Sequence, residues 1–324
     1  MLALLAAAAL AAPHAGRADD RVTMDEGTRQ AVQRALLYLR KAQATDGSWG
    51  NSAVTAFAVL AYLSNGHLPN QGPFGGTVER GVRHLLACGA GRADGYLVGP
   101  RDGNMYSHGM ATLALSQVYG MAGDDELRQV LKRAVDLIVR TQNGAGGWRY
   151  EPAPTDADIS ATIMQVMALR GAKDGGLHVP DATMRRAIAY INRCYDPGSG
   201  GYKYQPQAAG AGFARTAAGV CVLQLTGEYQ AEPIARAVKY LQEKKADDGY
   251  YWYGHYYAAH AFHQVGGKPW ETYYSRVRAS LLASQQSNGR WEEKQEGNVG
   301  PAYQTAIAVL ILSVPTNYLP IYQR

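Results

Sequence analysis

Cysteine is scarce in this chain. Three occur among 324 residues: Cys88, Cys194 and Cys221. The count is odd and no pair has CxxC spacing, so neither a disulfide framework nor a zinc knuckle is encoded, and the thiols read as small residues of the core. Phenylalanine is also scarce, 4 against 22 tyrosines. Tyrosine joins an apolar body to a polar tip, which suits the wall of an amphipathic cavity and equally suits half-buried loop positions. Basic runs are missing. No Lys/Arg stretch exceeds two residues, as at Arg185-Arg186 and Lys244-Lys245, although the formal net charge is +5. A nucleic-acid groove needs a clustered stripe, so the charge reads as a solvated surface and no nucleic-acid partner is expected. Past the N-terminus no apolar run is long enough to span a bilayer. G-x-S-x-G, Walker A, H-E-x-x-H and a G-x-G-x-x-G behind a strand are absent, which removes the commonest serine-hydrolase, nucleotide and zinc-protease signatures. What remains, with 47 % apolar and 18 % charged residues, is a globular chain.

The apolar stretch 2–12 is too short for a membrane span and is followed by small residues, with cleavage expected after Ala15 or Ala18. It reads as a secretory signal over 1–18 and predicts a periplasmic or extracellular protein. A repeat domain over 24–314 follows, then a tail over 315–324 holding Pro315 and Pro320.

Within that domain one grammar recurs six times. An amphipathic helix ends, a glycine-rich loop with an aromatic residue follows, and a nearly all-apolar helix opens. The amphipathic members are expected at 24–43, 78–87, 126–141, 182–194, 234–244 and 272–285. The apolar ones are expected at 54–63, about 106–119, behind Asp158, 213–225, 256–265 and 303–313. Leu39, Leu85, Ile138, Ile191, Leu241 and Leu282, near the ends of the first helices, space the units by about 41 to 53 residues. An amphipathic helix wants one face in water and a wholly apolar one wants enclosure. Two concentric rings satisfy both. An open solenoid would need polar end caps, and the last helix, TAIAVLILSV, is as apolar as the internal ones. The expectation is an all-α fold: a single α/α-toroid of about six helical hairpins. In the fourth hairpin Cys194 and Cys221 would lie about 12 Å apart along the axis, too far for a disulfide.

YLRKAQATDGSWG, LIVRTQNGAGGWRY and LLASQQSNGRW resemble the Gln…Gly-x-x-Trp repeats of squalene–hopene cyclases, a pattern shared by prenyltransferase/squalene-oxidase repeat proteins. The likeness covers about residues 28–314. It implies outer and inner helices around a central cavity, with Gln43, Gln142 and Gln285 tying helix ends to neighbouring loops and Trp49, Trp148 and Trp291 packed there. Units two, four and five depart from the pattern, carrying Tyr or a shifted Trp252 and no clear Gln. Squalene–hopene cyclases carry Asp-x-Asp-Asp, whose middle Asp protonates the substrate. Asp156-Ala157-Asp158-Ile159 resembles it, which implies Asp158 at the proton-donor position and Asp156 beside it as a second catalytic carboxylate. Ile159 replaces the last Asp, and the chain has length for one barrel where those cyclases use two, so the resemblance leaves catalysis open. Protein prenyltransferases, similar in fold, bind zinc with Asp, Cys and His. No Asp-x-Cys is present here and the pair His260 and His263 has no adjacent carboxylate, so no metal and no cofactor is expected.

All six loops join an outer helix end to an inner helix start and therefore share one rim. Aligning the inner helices on Thr55, Thr112, Thr162, Thr216 and Thr305 brings His108, Asp158 and Gly212 to one level, with Arg215 a turn deeper and His255 near it. His108, Arg215, His255, Tyr106 and Tyr256 are thus the expected ligand-binding residues of the cavity mouth. Each has a plainer reading as well: Asp158 as an N-cap, the histidines bonded to loop carbonyls, Arg215 paired with Asp158. Three functions stay open. One is an exported relative of terpenoid cyclases and prenyltransferases holding an apolar, isoprenoid ligand. Another is a non-catalytic scaffold binding a protein partner at the rim. The third is a carbohydrate-active α/α-barrel with paired carboxylates.

Overall fold

The computed structural model describes residues 22–90, 92–99, 103–229, 232–246, 248–292, 296 and 299–323. The signal expected at 1–18 lies outside them. Six helices are outer: α1 (Glu26–Ala42), α3 (Gly75–Gly89), α5 (Asp125–Arg140), α7 (Asp181–Arg193), α9 (Glu232–Glu243) and α11 (Gly267–Ser284). Six are inner: α2 (Ser52–Leu63), α4 (Met105–Ala122), α6 (Ile159–Asp174), α8 (Phe213–Leu225), α10 (Tyr251–Val265) and α12 (Pro301–Leu312).

Local sequence explains the division. α1 buries Thr28, Ala31, Val32, Ala35, Leu36 and Leu39, one stripe at three- and four-residue spacing. It is capped by Asp25, which accepts from the Thr28 N–H at 2.8 Å, and it ends on Arg40 and Lys41, which suit the negative end of the helix dipole. α2 behaves otherwise: all of its residues from Ser52 to Leu63 are buried. Each inner helix packs on the next, α2 on α4, then α6, α8, α10 and α12, and α12 packs back on α2. α1 touches both α11 and α12, so the outer ring closes too. The expected α/α-toroid is therefore what the chain forms. α10 begins at Tyr251 and α11 at Gly267, each five residues ahead of expectation. The aromatic cluster Tyr251-Trp252-Tyr253, read as loop, is instead the buried first turn of an inner helix.

The same loop hydrogen bonds hold the hairpins together at three places. Gln43 donates to the Gly47 and Thr77 carbonyls, Gln142 to those of Gly146 and Thr183, and Gln285 to those of Gly289 and Ala31. Each glutamine also accepts from an arginine of the next outer helix: Arg80, Arg186 and Arg34. The Trp49, Trp148 and Trp291 indoles donate to the Leu39, Ile138 and Leu281 carbonyls at 2.6, 2.8 and 2.9 Å. Their backbone N–H groups donate to the Thr55, Thr162 and Thr305 hydroxyls, each at 3.1 Å, and Tyr202 uses Thr216 in the same way at 2.9 Å. In unit two the position falls to Leu97 rather than Tyr96, and the Leu97 N–H donates to His108 Nδ1 at 3.1 Å. His108 stands in for the threonine.

The residues past α12 close one end of the ring. Tyr322 stacks on His260 with centroids 3.5 Å apart, and its hydroxyl meets that of Tyr256 at 2.7 Å. The Ile321 N–H donates to Gln117 Oε1 at 3.0 Å, and Gln264 donates to the Tyr322 carbonyl at 2.9 Å. Gln117 and Gln264 lie in the final turns of α4 and α10, so this end is opposite the loop rim.

Candidate functional site

At the loop rim the first turns of the inner helices surround a cavity of about 710 Å³, within the usual size range of small-molecule sites. Its walls are largely aromatic and apolar: Phe57 and Val54 from α2, Tyr106 from α4, Tyr253 from α10, Tyr303 from α12, and the loop residues Tyr150 and Tyr204. Tyr106 and Tyr253 lie with ring centroids 6.2 Å apart, and Phe57 meets Tyr303 edge to face at 5.6 Å. Tyr150 and Tyr204 join hydroxyls at 2.7 Å, with the Arg149 guanidinium over both rings. Burial raises the Tyr106, Tyr253 and Tyr303 phenols well above their usual range, so they remain neutral.

Among the described residues two charged groups line this cavity. Arg215 contributes a guanidinium with one long hydrogen bond, to the Gly210 carbonyl at 3.5 Å, and no carboxylate pairs with it among the described residues. Glu296 contributes the carboxyl. Its Oε2 accepts from the Trp252 and Tyr253 N–H groups at 2.8 and 3.2 Å, and Oε1 accepts from the Tyr303 hydroxyl at 3.2 Å. Burial raises its pKa against the opposing pull of these donors. The sequence gives little sign of Glu296, because it sits in a polar stretch with no periodicity. Its one linear mark is its place shortly before Tyr303, the first aromatic of α12.

The expected site residues separate into two groups. Tyr106 and Arg215 line the cavity. His108 does not: it is fully buried between the Leu97 N–H and the Ala134 carbonyl, facing the outer ring. His255 turns to the Tyr273 hydroxyl of α11 at 2.8 Å. Tyr256 lies under Phe57, bonded to Tyr322. The threonine alignment orders residues along the axis but does not give their direction around each helix, and α10, which carries His255 and Tyr256, has no threonine to align. Asp158 is fully buried. Its Oδ1 caps α6 at the Ala161 N–H (2.9 Å), and Oδ2 lies 3.4 Å from Arg149 Nε. The expected partner Arg215 is replaced by Arg149. Burial raises the Asp158 pKa, opposed by the Ala161 N–H, Arg149 and Tyr204. Asp156 is largely exposed and pairs with Arg149 at 2.8 Å. Neither aspartate lines the cavity. No cluster of three metal-ligating side chains occurs among the described residues.

Known proteins share this architecture. The type II terpene cyclase MstE from Scytonema, solved as a variant with geranylgeranyl dihydroxybenzoate, superimposes with a TM-score of 0.62 at 14 % identity, over 90 % of this chain and 98 % of that one. The GH76A α-1,6-mannanase from Salegentibacter sp. HEL1_6 superimposes with a TM-score of 0.66 at 8 % identity, over 91 % and 100 %. In sequence, a drimenyl diphosphate synthase from Streptomyces showdoensis is 27 % identical over 191 residues, 56 % of this chain and 34 % of that protein. The chain thus aligns with about a third of that relative's length. No family model matches. The fold is a terpenoid cyclase-like α/α-toroid.

Proposed function

We propose that the central cavity binds an apolar, isoprenoid-type ligand, its hydrocarbon against Phe57, Tyr106, Tyr253 and Tyr303 and its polar end at Arg215 and Glu296. The carrying observation is an aromatic-walled cavity of about 710 Å³ with, among the described residues, one guanidinium and one carboxyl on its wall. The sequence relative is a terpenoid diphosphate synthase and the MstE neighbour was solved with a geranylgeranyl compound, which supports the same ligand class. A glycosidase reading draws on the mannanase likeness. It needs two carboxyl groups facing the sugar, and Glu296 is the one carboxylate lining the cavity among the described residues. We take the chain to be exported, on the pattern of 1–18.

The test is native mass spectrometry with geranylgeraniol and geranylgeranyl diphosphate. A one-to-one complex is expected, lost in Ala214→Phe, which fills cavity space without removing a polar group. No complex with either compound, or one that Ala214→Phe leaves intact, overturns the reading. Asp158, the acid that the resemblance implies, caps α6 off this cavity. Turnover of a bound polyprene should therefore survive Asp158→Asn, which keeps an acceptor for the Ala161 N–H; loss of turnover in a folded variant would make Asp158 the acid after all.

A further inference from the structure

The inner helices bring their first turns to the cavity, and each such turn carries N–H groups in need of an acceptor. Asn51 supplies one to α2, Asn104 to α4 and Asp158 to α6, each at 2.9 Å. The Glu296 carboxyl serves α10 from another part of the chain. α12 opens on Pro301, which has no N–H to satisfy. α8 differs. No side chain caps it among the described residues, and its first turn holds no acidic residue. Its third residue is instead Arg215, a cation at the positive end of a helix dipole. Arg215 Nε is buried without a hydrogen-bond partner, and the long contact to the Gly210 carbonyl is the guanidinium's one hydrogen bond among the described residues. α8 and α10 pack through Phe213 and Ala214 against Gly254, where a Cβ would stand 3.1 and 3.3 Å from them. Arg215 follows that contact on α8, Tyr253 precedes it on α10, and both line the cavity. Tyr253 is 8 % exposed, and its hydroxyl is buried without a hydrogen-bond partner.

Resting on the ligand reading above, we propose that the molecule bound in this cavity ends in a carboxylate, held by Arg215 together with the Tyr253 hydroxyl and the uncapped N-terminus of α8. Each of these partners is a donor that lacks an acceptor of its own, and buried donors need one. The guanidinium presents a planar fork that matches the two oxygens of a carboxylate. The helix terminus adds partial positive charge and N–H groups directed at the same place. A hydroxyl head would leave the guanidinium unmatched between aromatic walls, where an uncompensated charge is costly. Glu296 does not supply the match. Its oxygens accept from the Trp252 and Tyr253 N–H groups and from the Tyr303 hydroxyl, so the end of α10 balances that carboxyl and Arg215 remains over. A diphosphate brings several negative charges to the one guanidinium that lines the cavity among the described residues. A single planar anion fits the donors better. The ligand is therefore an isoprenoid acid, its carboxylate between α8 and α10 and its hydrocarbon against Phe57, Tyr106 and Tyr303.

The experiment titrates the full chain at neutral pH with geranylgeranoic acid, geranylgeraniol and geranylgeranyl diphosphate, following intrinsic fluorescence. The acid should bind roughly tenfold more tightly than the alcohol, because hydrogen bonds to a charged group are the strong ones, and more tightly than the diphosphate. In Arg215→Gln the acid-to-alcohol preference should fall to about one, and Arg215→Lys, which keeps the charge and loses the fork, should lie between that variant and the wild type. Equal affinities for acid and alcohol in the wild-type protein overturn the carboxylate assignment and leave the isoprenoid cavity standing. So does tighter binding of the diphosphate than of the acid, or a preference for the acid that survives Arg215→Gln. If none of the three compounds binds, the cavity reading itself fails and the carboxylate with it. Binding of the alcohol by Arg215→Gln shows that variant to be folded; where it does not fold, the wild-type preference decides alone.

Discussion

Single glycines carry much of the joinery between hairpins. Gly146 has φ of +92°, and a Cβ there would stand 2.4 Å from the Arg186 carbonyl oxygen. Gly47 and Gly289 make the same approach, to Arg80 and Arg34, at 2.3 and 2.4 Å. These glycines therefore meet two demands, a left-handed backbone and room for the next helix. Gly176 meets one: its φ is +86°, and nothing lies within 4 Å of the added atom. Gly176→Ala should cost about 1 kcal/mol, and Gly146→Ala about 2–4 kcal/mol, since crowding against a carbonyl adds to the backbone penalty. Chemical denaturation of the two variants measures the difference. Equal losses would mean that the loop can shift away from α7 and that the close approach has no structural weight.

Among the elements, the tail departs furthest from what its sequence announces. The stretch 315–324, set apart in the sequence as a tail holding two prolines, has Ile321 and Tyr322 almost wholly buried in the ring. Tyr322→Ala removes an aromatic stack and a hydroxyl pair together, and a loss of about 3 kcal/mol is expected from the denaturation midpoint. A loss under about 1 kcal/mol would show that the tail merely covers the opening. The helices themselves were legible because inner and outer members obey different burial rules, and three loops kept Gln, Gly and Trp in register. Their ends were less so. The first turn of α10 is made of aromatics, whose size reads as loop decoration when the neighbouring units have glycine there. Of the cavity, Tyr106 and Arg215 could be seen, because alignment gives depth. Depth says nothing of azimuth, so His108 and His255 were expected at the mouth while they face the outer ring. Glu296 depends on loop conformation, for which a linear pattern has no signal.

At the scale of the whole molecule, buried histidines tie stability to pH. Burial lowers the His108 pKa to about 4, and lowers that of His260 as well. The unfolded imidazole titrates near 6.5, so between about 6.5 and 4 the unfolded chain binds more protons than the folded one, and stability falls as pH falls. The full window is worth about 3 kcal/mol for His108. Asp158 and Glu296, whose pKa values are raised, act in the opposite direction, because their folded forms keep protons to higher pH. Thermal unfolding of wild type and His108→Gln across this range should show a shallower slope in the variant. Parallel slopes would exclude His108 as the source.

The seam where the ring closes has a consequence for how the protein is made. Gln285 bonds the Ala31 carbonyl and receives Arg34, while α1 lies against α11 and α12. The first outer helix thus finds these neighbours only among residues synthesised 254 positions later. Until then the face of α1 that meets α11 and α12 lacks those partners, and the flank of α2 that meets α12 is uncovered. Contacts of such long sequence separation form late and slowly. During synthesis the nascent chain is an open crescent with two sticky ends, and finding its own other end competes with meeting the end of a neighbour.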